Sequence, residues 1–255
     1  MDASPLLKVY LKENGKLLKK DIDAVSECCY TNCIDTVSIY KTRLGGTIMP
    51  KGSPELTNAR REEIINACEH LYQTMSFKEI TIKEIGKITS FTRTSIYNYF
   101  QTKEEIFLAL LKREYKLWIN DLRQTMEQID SMKKEQFADM LARSLQERSQ
   151  LLKILSMNHY DMETGSRPEH LAAFKVVYGE AIRTVMDCLK KYFPDMTVLE
   201  MQDFIYTFFP FMFGIYPYTF VTQKQRMAMK EAKVDYVFMT IYELTYNCVK
   251  KLLNN

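Results

Sequence analysis

With 255 residues the chain has room for one large domain or two modest ones, each with a proper core. Its 46% hydrophobic content, with only 8 Gly and 7 Pro, excludes a low-complexity or collagen-like chain and argues for a folded, largely helical protein. The net charge of +3 is too small for bulk electrostatics to attract nucleic acid, so any such attraction must come from where the charges are placed.

The six cysteines are scattered. Cys68, Cys188 and Cys248 sit inside apolar helical patterns and read as free, buried thiols of a reducing compartment. Cys28, Cys29 and Cys33 have no matching Cys or His pair nearby, so no metal site is expected. No signal peptide and no sustained apolar span is seen, so the expectation is a soluble cytoplasmic protein without a membrane segment.

Residues 6–18 have room for a short helix, but periodicity is weak over 28–47 and broken at Gly45 and Gly46, so residues 1–48 read as an extension, disordered, loosely folded or translated as a non-native leader. Codons for those glycines can contain a ribosome-binding GGAGG just upstream of Met49, which makes Met49 a candidate start. From Pro54 the chain becomes regular. A helix is expected over 56–74, with Ile64, Ala67, Cys68 and Leu71 along one face.

Residues 81–100 read as two short amphipathic helices joined by a tight turn. Ile82, Ile85 and Ile88 form the first apolar face, and Ile96 with Phe100 the second. Thr81 and Thr92 stand at capping positions, and Glu84 completes a capping-box spacing after Thr81. Gly86 lies mid-helix, where the absent side chain suits a close approach by the second helix. The second helix, expected over 92–99, carries Arg93, Thr94, Ser95, Tyr97, Asn98 and Tyr99, groups able to reach phosphates and base edges from a major groove.

The run TRTSIYNYFQTKEEIF resembles the DNA-binding segment of the tetracycline-repressor family of bacterial regulators, and the match extends over residues 60–111. The resemblance rests on the aromatic pair before Phe100, on Lys103 opening the next helix and on the spacing between them. One departure is Ser90, where the family usually has Gly; if that position calls for a left-handed backbone, the turn is either strained or differently closed. The resemblance implies an all-α fold, with a three-helix DNA-binding head over 49–102 and a helical effector-binding and dimerisation domain over 103–255. It also implies that Phe77 packs into the core of the head. Arg93, Thr94, Ser95 and Asn98 are then candidates for base edges, and Thr81, Thr92, Tyr97, Tyr99 and Lys103 for phosphates.

Thr102 with Glu105 marks the next helix start, which is expected to run toward Met132. Further helices are expected over 134–147, 149–157, 167–192, 197–221 and 231–253. The segment FIYTFFPFMFGIYPYTF is apolar on nearly every face and calls for cover by its own domain and by a second subunit, with kinks at Pro210 and Pro217. Val234, Val237, Phe238, Ile241, Leu244, Cys248 and Leu252 extend this surface, giving a homodimer in which each subunit contributes two helices.

Phe174, Tyr178, Tyr206, Phe209, Met212 and Phe213 are candidates for the lining of an effector pocket, in a composition of 15 Met and 12% aromatics that can re-pack around hydrophobic ligands. No cofactor, phosphate-loop or nucleophile motif is present, and His70, His159 and His170 stand without ligand-type neighbours, so no enzyme is expected. The sequence reading is a ligand-responsive regulator, a repressor released from a palindromic operator by a small hydrophobic effector. Its alternative is a helical protein-interaction module without specific DNA binding.

Overall fold

The computed structural model describes residues 53–157 and 159–254, with the backbone alone at 159 and 160. The expectations for residues 1–48, including Cys28, Cys29 and Cys33, lie outside the described residues. All regular structure among the described residues is helical. In chain order the helices are α1 (Pro54–Tyr72), α2 (Ile82–Ile88), α3 (Arg93–Ile96), α4 (Lys103–Gln128), α5 (Lys134–Glu147), α6 (Ser149–Leu155), α7 (His159–Thr164), α8 (Pro168–Tyr192), α9 (Val198–Thr219), α10 (Gln223–Glu231) and α11 (Ile241–Leu253).

Threonine hydroxyls set many of the starts. Thr81, Thr102, Thr197, Thr222 and Thr240 each accept the backbone N–H three residues on, at 3.2–3.3 Å, satisfying a donor that the first helical turn leaves without a partner. At Thr197 and Thr240 the bond is reciprocated by Glu200 and Glu243, closing capping boxes. Thr92 differs from expectation: its hydroxyl meets Ser95 Oγ at 3.2 Å and caps nothing.

Helices α1, α2 and α3 share a core of Ile64, Ile65, Ile80, Ile85, Ile96 and Phe100. A Cβ at Gly86 would lie 3.3 Å from Arg93 Cβ and 3.5 Å from Ile96 Cδ1, so this glycine does allow α2 and α3 to approach closely. Ile88 departs from its expected face and is 46% exposed, because α2 ends there and the chain leaves the core.

Of the two expectations for the turn at Ser90, strain or a different closure, the structure shows the second. Lys233 is the one non-glycine residue with positive φ among the described residues, so Ser90 needs no left-handed backbone. Its N–H and hydroxyl both donate to the Glu63 carboxylate on α1. A side-chain clasp thus does what a glycine would do by conformation.

The long α4 runs from this head into the larger helical layer, where α8 packs along it. Trp118, Tyr115, Phe107 and Leu122 of α4 are fully buried. Trp118 Nε1 donates to Ser144 on α5 at 3.0 Å, so the indole keeps a polar partner inside the core. Helix α9 packs against α6, α8 and α11, and α11 lies along α5. It remains one helix through Pro210 and Pro217 and presents Phe204, Phe208, Phe209, Met212 and Ile215 inward.

Its opposite side stays open: Tyr206 and Tyr218 are 62% and 57% exposed, and a Cβ at Gly214 would meet nothing within 4 Å. The helix expected over 231–253 forms only over its second half, as α11, and residues 232–240 are not helical. Helix α10 ends at Glu231 and is followed by a left-handed Lys233, with the Val234 N–H bonding back to Met229 O at 3.0 Å, and α11 begins only after Thr240. Val234 and Val237 are therefore exposed.

Cys68, Cys188 and Cys248 are free thiols, and burial pushes Cys68 and Cys188 up to about 12, which keeps them protonated and unreactive. No single described helix is long and apolar enough to cross a membrane.

Candidate functional site

The recognition segment is short. Regular helix covers only Arg93–Ile96, and residues 97–99 continue as turn through bonds such as Tyr99 N–H to Ile96 O at 2.9 Å. Ile96, Tyr99 and Phe100 point inward. Thr92, Arg93, Thr94, Tyr97 and Asn98 point outward together, with Ser95 half-buried between them. That division turns four residues of helix and one turn into a polar ridge with an apolar underside. Arg93 Nη2 donates to Tyr97 Oη at 3.1 Å, with its guanidinium 5.8 Å from that ring, so each side chain orients the other.

The structure separates the expected phosphate groups. Thr81, Thr92 and Tyr97 are exposed. Tyr99 is only 4% exposed and packs beside Phe91, 6.4 Å between ring centres, so its ring belongs to the core of the head. Lys103 donates to Phe77 O at 2.7 Å and sits 4.1 Å over the Phe77 ring. Its charge is held at the start of α4, with Phe77 packed into the core as the resemblance implied.

The head is latched to the larger layer through Glu105, which sequence reasoning saw only as a capping partner. Its carboxylate is fully buried and accepts from Arg167 Nε at 2.6 Å, Arg167 Nη2 at 2.9 Å, Arg167 N–H at 3.2 Å and Gln101 N–H at 2.8 Å. Burial alone would raise its pKa, but the Arg167 guanidinium, the Gln101 N–H and the neighbouring His170 outweigh it and hold the carboxyl below its ordinary value. Arg167 also reaches Tyr99 O at 3.4 Å, and Thr102 Oγ1 donates to Gly165 O at 2.7 Å. A Cβ at Gly165 would fall 2.7 Å from Glu104 Cγ, so glycine is needed where the chain before α8 crosses α4. Residues at the end of the recognition turn are thus tied directly to α8.

Of the expected pocket residues, Phe174, Phe209 and Met212 are buried, Tyr178 and Phe213 are half-buried, and Tyr206 is exposed. Tyr206 is off the inward stripe of α9, which corrects its placement as a pocket lining. Phe174, Tyr178 and Phe209 gather around α4: Tyr115 lies 6.1 Å from Phe174 and 5.8 Å from Tyr178, and Trp118 lies 6.3 Å from Phe209. At their centre the Tyr115 hydroxyl is fully buried and has no hydrogen-bond partner among the described residues. None of the six lines the larger cleft, about 660 Å³ between α4, α5 and α11, where Asp121, Met140, Ser144, Tyr242 and Tyr246 face the opening. Sequence reasoning missed Tyr115 because it occupies an ordinary position in an apolar stripe.

A short head with a polar recognition ridge, continued by a long helix into a larger helical layer, defines a helix-turn-helix DNA-binding protein. Residues 64–110 match the family model described as bacterial regulatory proteins, tetR family, and residues 112–249 match the tetracyclin repressor-like C-terminal domain. The chain belongs to the tetracycline-repressor family of transcriptional regulators.

Among solved structures, a similar one is Thermus thermophilus FadR, a TetR-family transcriptional repressor in complex with lauroyl-CoA: 17% identity, 76% of this chain and 93% of that one covered, TM-score 0.52. A protein of Mesorhizobium loti assigned to the same family gives 14% identity, 78% and 96% coverage and a TM-score of 0.52. The fatty acid degradation regulator FadR from Bacillus halodurans gives 15%, 80% and 96%, with a TM-score of 0.49. No curated protein sequence matches the chain.

Proposed function

We propose that this regulator is a cytoplasmic, homodimeric, non-enzymatic repressor that leaves a palindromic operator when a small hydrophobic effector enters the aromatic cluster around Tyr115. The observation that carries the effector site is the buried Tyr115 hydroxyl without a partner among the described residues. An unmet hydroxyl in an apolar interior costs about 1–3 kcal/mol, which a ligand's polar end would recover. Phe174 and Tyr178 pack on Tyr115 and Phe209 packs on Tyr178, while Met212 and Phe213 stand one turn further along α9, where methionine adapts its shape at little cost. The cleft between α4 and α5 offers a way in: Ser144 lines it and holds Trp118, which touches Phe209.

The exposed ridge of Thr92, Arg93, Thr94, Tyr97 and Asn98 supports major-groove reading, with Ser95 at its edge and Thr81 and Lys103 near the backbone. The open side of α9, with Tyr206, Pro210, Gly214 and Tyr218, supports pairing with a second copy. A standard interface of about 1,600 Å² would cover it. Release follows if the effector favours an arrangement of α4 and α8 in which the Glu105–Arg167 latch turns the head away from its operator spacing.

The test is binding of the full chain to the DNA upstream of its own gene at two salt concentrations, with random competitor, followed by titration of fatty acids and of lauroyl-CoA. Saturable, salt-sensitive binding that survives competitor and is reversed by ligand is expected. Binding no tighter than to random DNA would leave a distant operator or the interaction-module alternative.

A further inference from the structure

A second cleft, about 210 Å³, opens where α1, α4 and α8 meet. Leu108, Ala109 and Ala173 form its apolar wall, and Arg61, Lys112, Glu169 and His170 complete it. Among the described residues neither the Arg61 guanidinium nor the Lys112 ammonium makes an ion pair or a hydrogen bond; Arg61 rests 4.8 Å from the Phe100 ring. The acids nearby are already engaged. Glu105 is held by Arg167, Glu169 meets Arg167 at 3.4 Å, and Glu62 meets Arg113 at 3.5 Å. Burial foremost lowers the pKa of both cations, Arg167 lowers that of Arg61 further, and Lys116 and Arg61 lower that of Lys112, against the smaller opposing pull of Glu62 on both and of Glu105 on Arg61. Two like charges are thus kept together, partly out of water, on an apolar wall.

We propose that this cleft binds a phosphoryl group. A phosphate dianion matches two cations, whereas a single carboxylate would leave one uncompensated. Arg61 offers a planar fork for two oxygens, and Lys112 a point charge for the third. His170 Nε2 accepts from Arg167 Nη2 at 2.8 Å, which puts the ring proton on Nδ1 and leaves it available as a neutral donor. The volume exceeds what a lone tetrahedral anion fills, given that a water occupies about 30 Å³, so the first atoms of an organic phosphomonoester fit against Leu108, Ala109 and Ala173. Glu169, held back by Arg167, sits at the rim. Because Arg61 stands on the head and His170 on α8, a bound phosphoryl group braces one against the other. This site is independent of what the recognition ridge reads and of the aromatic cluster.

Thermal unfolding of the full chain tests it, with inorganic phosphate titrated against chloride at matched ionic strength and no DNA present. Phosphate at about ten times its Kd is expected to raise Tm by about 3 °C, and chloride to leave it unchanged. Arg61→Gln and Lys112→Met should each abolish that rise while leaving the phosphate-free Tm equal or higher, since each relieves a like-charge contact. Should Arg61→Gln unfold the head by losing its Phe100 contact, Lys112→Met, which touches no ring, carries the test.

Phenyl phosphate is the second arm. Tighter binding than inorganic phosphate assigns the cleft to organic monoesters, and equal binding to free phosphate; both uphold the proposal. An equal response to chloride, or a phosphate shift that persists in the double variant, overturns it. So does a loss of DNA affinity in Lys112→Met without any phosphate effect, which would give these cations to the operator backbone.

Discussion

Tyr115 and Arg93 show how differently single residues declare themselves. Arg93 is legible because a basic side chain at the start of an otherwise polar, short-chained helix has few reasons to be there except to reach outward. It is exposed, and its bond to Tyr97 holds it on the outer face of the head. Arg93→Ala is expected to lower operator affinity by about 1–3 kcal/mol and to relax preference at one base pair, read by gel shift against single-base operator variants.

Tyr115 is illegible, because an apolar stripe tolerates tyrosine and only packing reveals that its hydroxyl has no partner among the described residues. Tyr115→Phe is expected to stabilise the ligand-free protein by about 1–2 kcal/mol in urea unfolding, since it removes an unmet polar group. Effector affinity should fall in the same variant. Ser90 was legible as a departure but not in its remedy, because Glu63 lies 27 residues away and no local pattern links them.

At the scale of elements, ends were well legible, those expected at 147, 192 and 253 being the ends of α5, α8 and α11, and the largest miss was the start of the last helix. Thr81 and Thr102, read as caps, and Thr197, read as a start, mark true starts, whereas Thr92 caps nothing. The Thr240–Glu243 pair was overlooked, because Val234, Val237 and Phe238 continue the apolar spacing across a segment that is not helical. Reach across elements was also hidden: nothing near Glu105 in the chain announces Arg167, its partner in the latch between α4 and α8. Glu105→Gln leaves that guanidinium without its carboxylate and is expected to cost about 3 kcal/mol, the low end for a buried pair because Arg167 keeps some access to water.

His170 beside them gives the latch a pH dependence. Burial foremost, then Arg167 and Arg61, depress its pKa below the ordinary 6.5, against the opposing pull of Glu105 and Glu169. The folded form therefore binds fewer protons than the unfolded chain as pH falls through that value, and unfolding free energy should drop between about pH 7 and pH 5. His170→Gln should flatten that slope in urea titrations at each pH. The Glu105 contribution, with its carboxyl held low, should be lost only at more acid pH, below about 4.

For the molecule as a whole, the all-α class and the order of head and larger layer were open to reading, because helical patterns recur throughout and the head carries a specific run of residues. How the aromatic stretch would be covered was only half legible. Helix α9 buries Phe204, Phe208, Phe209 and Met212 within its own chain and leaves Tyr206 and Tyr218 in the open. If a second copy covers that open side, Gly214→Arg should split the dimer in sedimentation without unfolding the subunit, since a side chain there meets nothing of its own chain within 4 Å. DNA binding by that variant should weaken and become steeply dependent on protein concentration.

The brevity of α3, four residues long, limits how much information one head can extract. A recognition element of this kind addresses about three or four base pairs, each worth at most roughly two bits, whereas singling out one site among about a million needs roughly twenty. Two heads together, as in the proposed homodimer, would supply about twelve to sixteen. The shortfall means that such a regulator finds an address shared by several sites, and that the shape and flexibility of the DNA between the two half-sites must decide among them.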